Sequence, residues 1–427
     1  MKPSVFNFAY ERKDGSCAVF NTFSRAVVVF DSMEQYRETF RQACTAPAPG
    51  ETVCGEAAAL QENGLLVADE LDELDVLKYF HYKAKFSNES LILTIAPTMQ
   101  CNFACPYCYE KARTGHMSTE IQDALVDYVC EKLEQGARDV DLTWYGGEPL
   151  LYPDVIDRVT GRIAGAVRTA NAKLGCTMVT NGSLLTPDIV AMLQRNEINS
   201  IQITLDGMAE NHNARRPFRN GGGSFDRIVS NLSLFAGTGI RVNVRMNVDR
   251  KNKGDYAALR EVVDGLRPQV EISLYPALVE HLNADDLRSD VYLSGSEYEA
   301  FLRDCRGAEH LDADEMALAN NRRYFCTAEL DNCFVVDELG NFYKCWDEIG
   351  RPELVCFNLL DRERVNYSAI VRYVADDPFR EDSRCRNCCF LPLCFGGCRY
   401  QKYYFGGVKC SFTPESVSAF VESKYLT

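Results

Sequence analysis

Six short apolar runs recur through the middle of the chain, at Leu91–Ala96, Val140–Tyr145, Thr177–Thr180, Ser200–Leu205, Val242–Val248 and Val270–Leu274. Between them lie stretches with apolar positions at helical spacing, such as Glu120–Leu133, Val155–Ala172 and Asp226–Phe235. Six strand–helix repeats predict an α/β fold with a parallel sheet, closed either as a doubly wound sheet or in a barrel-like way. Active sites in such folds gather at the C-terminal ends of the strands.

The flanks read differently. Ser4–Tyr10, Ala18–Phe23 and Ala26–Phe30 are rich in aromatic and β-branched residues, with a turn at Lys13-Asp14-Gly15. Helices are expected over Met33–Ala43 and Glu56–Asn63, separated by a Pro/Gly-rich break at Ala46–Gly50, and a third pattern follows the acidic run Asp69–Asp75 to end near Lys83. After about residue 320 the alternation stops, leaving short strands, turns and many cysteines, closed by a helix over Pro414–Tyr425. That last region is poor in apolar sequence, so bound metal is its expected staple. The expected domains are therefore 1–85, 90–310 and 320–427.

Composition narrows the class. At 427 residues the chain is long enough for two or three domains. It has no run of eighteen apolar residues, and its first residues, MKPSVFNFAYERKDGS, lack the apolar segment of a secretory signal. A cytoplasmic protein with no membrane span is expected. The net charge of −15 argues against nucleic-acid binding, which needs a basic face, while leaving room for a basic or mixed peptide partner. Nineteen cysteines stand out. Cytosolic thiols stay reduced, so metal ligation explains them better than disulfides.

The first group, Cys101-x3-Cys105-x2-Cys108, directly follows the first strand of the repeat. Three thiolates on one loop bind three irons of a cubane and leave the fourth open to chelate a ligand. A structural zinc site wants four ligands, and no fourth cysteine or histidine is nearby. This loop resembles the hallmark of the radical S-adenosylmethionine (SAM) superfamily. The resemblance implies a partial (β/α)6 TIM-like barrel and a [4Fe–4S] cluster whose open iron binds the cofactor and cleaves it to a 5′-deoxyadenosyl radical. Gly146-Gly147-Glu148-Pro149, ending the second strand, is similar to the family's GGEP motif, which receives the methionine end. Two glycines let backbone approach closely, and an ammonium needs acceptors. Thr180-Asn181-Gly182 and Thr204-Leu-Asp206-Gly207 resemble the polar strand ends that touch ribose and carboxylate, and Tyr107, Arg245 and Asn247 are further cofactor candidates. As bare sequence, Asn-Gly and Asp-Gly also read as ordinary turns. His212–Phe218, with Gly221–Gly223, reads as a substrate-side loop or a surface loop.

The second group has the form Cys326-x13-Gly340-x4-Cys345, then Cys385-x2-Cys388-x5-Cys394-x3-Cys398 and Cys410. It resembles the SPASM extension of a subset of radical SAM enzymes, a cysteine-rich domain holding two auxiliary clusters. The resemblance implies one cluster on Cys385, Cys388, Cys394 and Cys410, and another on Cys326, Cys345 and Cys398 with Cys333 as fourth ligand. That makes three [4Fe–4S] clusters with S-adenosylmethionine. Most of the remaining cysteines read as small hydrophobes, with Cys389 an alternative to Cys388 as a ligand.

Enzymes with this extension act mostly on peptides or proteins, and many peptide maturases carry an N-terminal winged-helix-like element of three strands and three helices. It captures a precursor's leader as an added strand, and residues 1–85 resemble it in pattern, the alternative being a structural strap that closes the open end of the barrel. The implied activity is formation of a thioether or carbon–carbon crosslink in a ribosomally made precursor peptide, with an electron donor such as flavodoxin or ferredoxin. The alternatives are an anaerobic sulfatase maturase and a non-catalytic iron–sulfur carrier. Sulfatase maturases carry an aspartate directly after the cysteine that Cys345 matches. Here Trp346 stands there and Asp347 follows, as a candidate base or a surface aspartate.

Overall fold

A computed structural model describes residues 1–45, 55–110, 112–279, 291–306, 323–377, 379, 382–407, 410 and 412–426. The break expected at Ala46–Gly50 lies outside them. The chain divides into two compact units, one of Met1–Phe86, Asp314–Leu330 and Val374–Thr427, the other of Ser87–Ala313 and Asp331–Tyr373. The residues expected to form a third, cysteine-rich domain are thus shared between the two units. Among the described residues no helix is long and apolar enough to cross a membrane.

The first unit begins with β1 (Lys2–Pro3), β2 (Asn7–Glu11), β3 (Cys17–Asn21) and β4 (Val27–Phe30), followed by α1 (Met33–Ala43), α2 (Gly55–Glu62), β5 (Leu66–Val67) and α3 (Glu73–Lys85). β2, β3 and β4 form an antiparallel sheet in that order, and β1 pairs with β5. Every residue of β3 is buried, because both its faces are covered. Cys17 and Val19 pack with Phe30, Phe40, Leu60 and Leu66, whereas Phe20 packs with Phe390, Leu393, Val417, Phe420 and Val421. The last three sit on the helix Pro414–Tyr425, started by a Thr413/Ser416 capping box. Arg12 and Tyr10 both donate to Glu422 of that helix. A buried ionic group adds polar ties: Arg399 pairs with Asp376 at 2.6 Å and Glu329 at 3.3 Å, and Lys85 donates to the Asp376 carbonyl.

The second unit is built on β6 (Ser90–Ile95), β7 (Asp139–Trp144), β8 (Lys173–Thr180), β9 (Ser200–Thr204), β10 (Arg241–Val248) and β11 (Ile272–Leu278). They pair in parallel in sequential order. That is the order of a barrel wall. A doubly wound sheet would reverse partway. The wall stays open among the described residues, since β12 (Cys333–Val336) pairs in parallel with β6 and carries the hairpin β13 (Asn341–Tyr343) and β14 (Phe357–Asn358). Alternate strand residues, such as Leu91, Leu93, Ile95, Leu142, Trp144, Met178, Ile203, Val244 and Leu274, are buried in one apolar cluster. They share it with Leu125 and Val129 of α4 (Thr119–Glu134), Ile156 and Ile163 of α5 (Pro153–Thr169), and Leu193 of α6 (Pro187–Arg195). One face of the wall is therefore sealed by helices.

The other face is polar. Thr143 and Thr177 hydrogen-bond across β7 and β8, Asn243 joins Ser200 and Ser273, Tyr275 donates to Gln202 at 2.6 Å, and Arg245 donates to Asn247. A packed barrel interior is filled by branched aliphatic side chains instead. A polar, half-buried lining belongs to a cavity wall.

Candidate active site

The three cysteines of the first group lie on the loop that leaves β6. Its backbone is pinned by a segment distant in sequence. Phe103 and Phe218 form an isolated antiparallel bridge, Ala104 N donates to Pro217 O, Arg219 N to Asn102 O, and Arg219 Nε to Cys101 O at 2.6 Å. The rings of Phe103 and Phe218 meet edge to face at 4.9 Å. Residues expected to form a substrate-side loop thus fold as helix α7 (Ala209–Arg215) and a clamp on the cysteine loop. The sequence signal was the Arg215-Arg216 pair, whose charges needed acid partners.

Those partners are Asp206 and Asp249. Asp206, fully buried after β9, accepts from Arg215 Nε at 3.3 Å, from the Asn247 amide at 3.1 Å, and from the Tyr107 hydroxyl. Arg216 donates to Tyr107 Oη at 2.7 Å, Asn247 Nδ2 reaches the same hydroxyl at 3.3 Å, and Arg215 also pairs with Asp249. His212 accepts from Asp206 N at 3.1 Å and contacts Ser224 Oγ at 3.0 Å, which fixes the neutral tautomer with the proton on Nε2. Burial, with Arg216 next in effect, pushes His212 down to about 3. Tyr107, Asp206 and Asn247, three expected cofactor contacts, therefore meet in one network around the cysteine loop. Arg245 joins it through Asn247, and Thr204 is buried on β9.

Glycine is required where β7 ends. Gly146 has φ +99°, and a Cβ there would lie 2.6 Å from Thr98 O, while one at Gly147 would run into the Gln100 carbonyl. Backbone of the glycine pair is thereby laid directly against the cysteine loop. Glu148 is fully buried, and its carboxylate accepts from Thr180 Oγ1 at 2.6 Å, Asn181 N at 2.8 Å and Leu150 N at 3.0 Å. Besides the role expected of it toward the methionine ammonium, it joins the ends of β7 and β8, placed just before Pro149. Asn181 in turn donates to Asn102 on the cysteine loop at 2.7 Å, and Asn102 to Ser183.

Burial drives the Cys101 thiol up to about 12 and raises Cys105. Such thiols stay protonated at neutral pH unless a metal takes the proton's place. The Cys101 sulfur already accepts from Phe103 N at 3.4 Å, a bond of the kind that tunes a cluster. The loop, the glycine cradle and the donor set fit a [4Fe–4S] cluster with S-adenosylmethionine.

Beyond Cys108 the chain turns to Tyr109 and Glu110. The hydroxyls of Tyr109 and Tyr145 are hydrogen-bonded, and Tyr145 stacks on Trp346 at 5.8 Å. Asp347 follows Trp346, accepts from the Cys345 thiol at 3.7 Å, and raises the pKa of Glu110, which burial first lifts, to about 8. Sequence reasoning missed Glu110, which no motif marks.

Cys385, Cys388, Cys394 and Cys410 all belong to the first unit. Burial pushes Cys394 up to about 12, and Cys388, Cys385 and Cys410 raise it further. Cys326 and Cys398 belong to this unit, Cys333 and Cys345 to the second. Cys17, Cys176 and Cys356 are buried small residues, as expected.

Residues 95–262 match the Radical SAM superfamily. A cysteine-type anaerobic sulfatase-maturating enzyme of Clostridium novyi is 24% identical over 373 residues, covering 78% of this chain and 95% of its own. The mycofactocin maturase of Mycolicibacterium smegmatis is 27% identical over 343 residues, covering 74% of this chain and 80% of its own. Among solved structures, native anSMEcpe with bound S-adenosylmethionine and Cp18Cys peptide superposes with TM-score 0.61 at 19% identity, covering 78% of this chain and 96% of that one. That likeness concerns the fold.

Proposed function

Given that the chain is a radical SAM enzyme with its radical SAM domain over residues 95–262, we propose that it matures a ribosomally made precursor peptide by installing a thioether or carbon–carbon crosslink. The observation that carries this reading is the cysteine loop packed against Gly146-Gly147 at the strand ends of a wall whose inner face is polar. Such a wall suits an extended polar substrate such as a peptide. Named relatives that span most of the chain are maturases.

In this reading Cys101, Cys105 and Cys108 hold a [4Fe–4S] cluster and Gly146–Pro149 the methionine end of S-adenosylmethionine. When bound, the pair supplies a 5′-deoxyadenosyl radical that removes hydrogen from the substrate. Tyr107, Asp206 and Asn247 fix the cofactor side of the loop, while Thr180, Asn181, Thr204 and Arg245 face it from neighbouring strand ends. Asp347 is the base that removes the substrate proton as the new bond forms. Two auxiliary clusters are assigned by sequence, one to Cys385, Cys388, Cys394 and Cys410 and one to Cys326, Cys333, Cys345 and Cys398, and a flavodoxin or ferredoxin supplies electrons. β2, β3 and β4 with α1–α3 take the leader by strand addition at a sheet edge.

The sulfatase-maturase reading is favoured by one observation, the Clostridium novyi relative aligned over nearly its whole length. Mass spectrometry separates the two. A small peptide from a neighbouring reading frame, co-expressed anaerobically, is expected to lose two hydrogen atoms per link, and Cys101→Ala is expected to abolish the change. An unmodified precursor beside a converted sulfatase-derived cysteine peptide would establish the alternative.

A further inference from the structure

Two arginines of the first unit have no counter-ion. Arg25 Nε and Nη1 are buried without a hydrogen-bond partner, and among the described residues no carboxylate pairs with this guanidinium. Arg323 is the second. Its Cζ lies 4.4 Å from the ring centre of Phe23 and 5.7 Å from that of Phe80, and among the described residues it too lacks an acid partner. Supply does not explain the pair, because the chain has 61 Asp and Glu against 46 Lys and Arg. A guanidinium taken out of water without an anion weakens the folded state. Burial pulls Arg25 down to about 10, Tyr425 opposes, and the like charge of Arg323 adds to the pull. Arg25 therefore keeps its charge at neutral pH.

Both arginines adjoin one turn. Phe23 and Arg25 lie on the bend between β3 and β4, held by the buried Asn21, whose side chain accepts from Phe23 N at 3.0 Å and Ser24 N at 2.8 Å. Arg25 has φ +68°, a conformation that favours glycine or asparagine, so the turn itself gives no reason for arginine. Directly after it comes β4, which among the described residues pairs with β3 alone. Its Val29 is 43% exposed, and Val27–Phe30 carries none of the charges or prolines that close an unused edge. A segment added along β4 would pass the Phe23–Arg25 turn at one end.

We propose that Arg25, with Arg323 beside the same turn, is the subsite for an aspartate or glutamate side chain of the precursor's leader, held along the outer edge of β4. The assignment rests on the peptide-maturase reading above and adds to it one required carboxylate and the edge that is used. A guanidinium fork meets a carboxylate with two parallel hydrogen bonds, and the arriving charge relieves the one left unpaired.

The test measures binding of the small peptide from a neighbouring reading frame, dye-labelled, to the anaerobically reconstituted enzyme by fluorescence anisotropy. Arg25→Gln is expected to weaken binding at least about tenfold, and Arg25→Lys, which keeps the charge without the fork, by less. Replacing the peptide's Asp and Glu residues singly by Asn and Gln is expected to reproduce the loss at one position. With that peptide Arg25→Gln should cost nothing further. Iron content and melting temperature report folding, and a fall of more than about 4 °C in Arg25→Gln would make Arg25 part of the framework and overturn the subsite. If no single carboxylate matters, and inorganic phosphate instead raises the melting temperature of the wild type but not of Arg25→Gln, the site takes a free anion and the leader assignment falls. A peptide that loses two hydrogen atoms per link yet binds both enzymes equally sinks only the subsite. One neither bound nor modified sinks the maturase reading, and the subsite with it.

Discussion

Two glutamates flank the cysteine loop, and their surroundings are opposite. Glu148, between the ends of β7 and β8, is met by three donors. Glu110, past the third cysteine, has a buried oxygen that meets none. A carboxylate surrounded by donors is part of the scaffold, because its removal orphans every group that faces it. A carboxylate left without donors weakens the folded state and persists where something else makes use of it. The contrast separates a carboxylate that the framework holds from one that it does not.

The largest effect is expected at the framework glutamate. Glu148→Ala strands Thr180 Oγ1 and two backbone amides in a dry site, and should cost about 3–5 kcal/mol in denaturant unfolding of the second unit. A loss under about 1 kcal/mol would show that the staple is not one. Next comes the network on the other side of the loop. Asp206→Asn keeps the size but leaves Arg215 short of a charge partner, and about 2–4 kcal/mol should be lost, with weaker cofactor binding by equilibrium dialysis. Acid should act on the same network. His212 is held neutral, its folded pKa depressed to about 3 from an unfolded value near 6.5. The unfolded chain therefore binds the extra proton first, and stability present above about pH 6.5 is lost as pH falls toward 3. His212→Gln should flatten that acid limb in urea midpoints, and an unchanged limb would remove His212 as its cause. Smallest is the effect at the other glutamate: Glu110→Gln should move stability by less than about 1 kcal/mol in either direction. A large destabilisation would place Glu110 in the framework and erase the contrast.

Much of this was legible in the residues. The alternation of apolar runs placed all six strands of the wall, and Met33–Ala43 and Pro414–Tyr425 were read to the residue. The three-cysteine loop and Gly146-Gly147 were legible because their chemistry is local: spacing on one loop, and a backbone approach only glycine permits. What escaped was non-local. That Arg215 and Arg216 turn inward to Asp206 and Tyr107 depends on a helix more than a hundred residues past Tyr107 folding back over it. That Glu148 also ties β7 to β8 was not legible, because a motif names a residue and not the atoms it faces. Glu110 looked like nothing, since an empty environment leaves no pattern in sequence. The two-way division of the cysteine-rich region was hidden for a related reason. Residues 331–373 extend the parallel wall through β12, whereas 374–427 pack on β3, and no composition shift marks residue 373.

That division sets an order of assembly during synthesis. β3 is covered on one side by α1 and α2, made almost at once, and on the other by Phe390, Leu393, Val417, Phe420 and Val421, made last. A ribosome adds on the order of 5–20 residues per second, so Phe8 and Phe20 stay uncovered for tens of seconds while the whole second unit emerges and folds between. The nascent chain thus carries an exposed aromatic sheet face for most of its translation, a natural hold point for a chaperone. Only when the helix Pro414–Tyr425 docks is the second face of β3 covered.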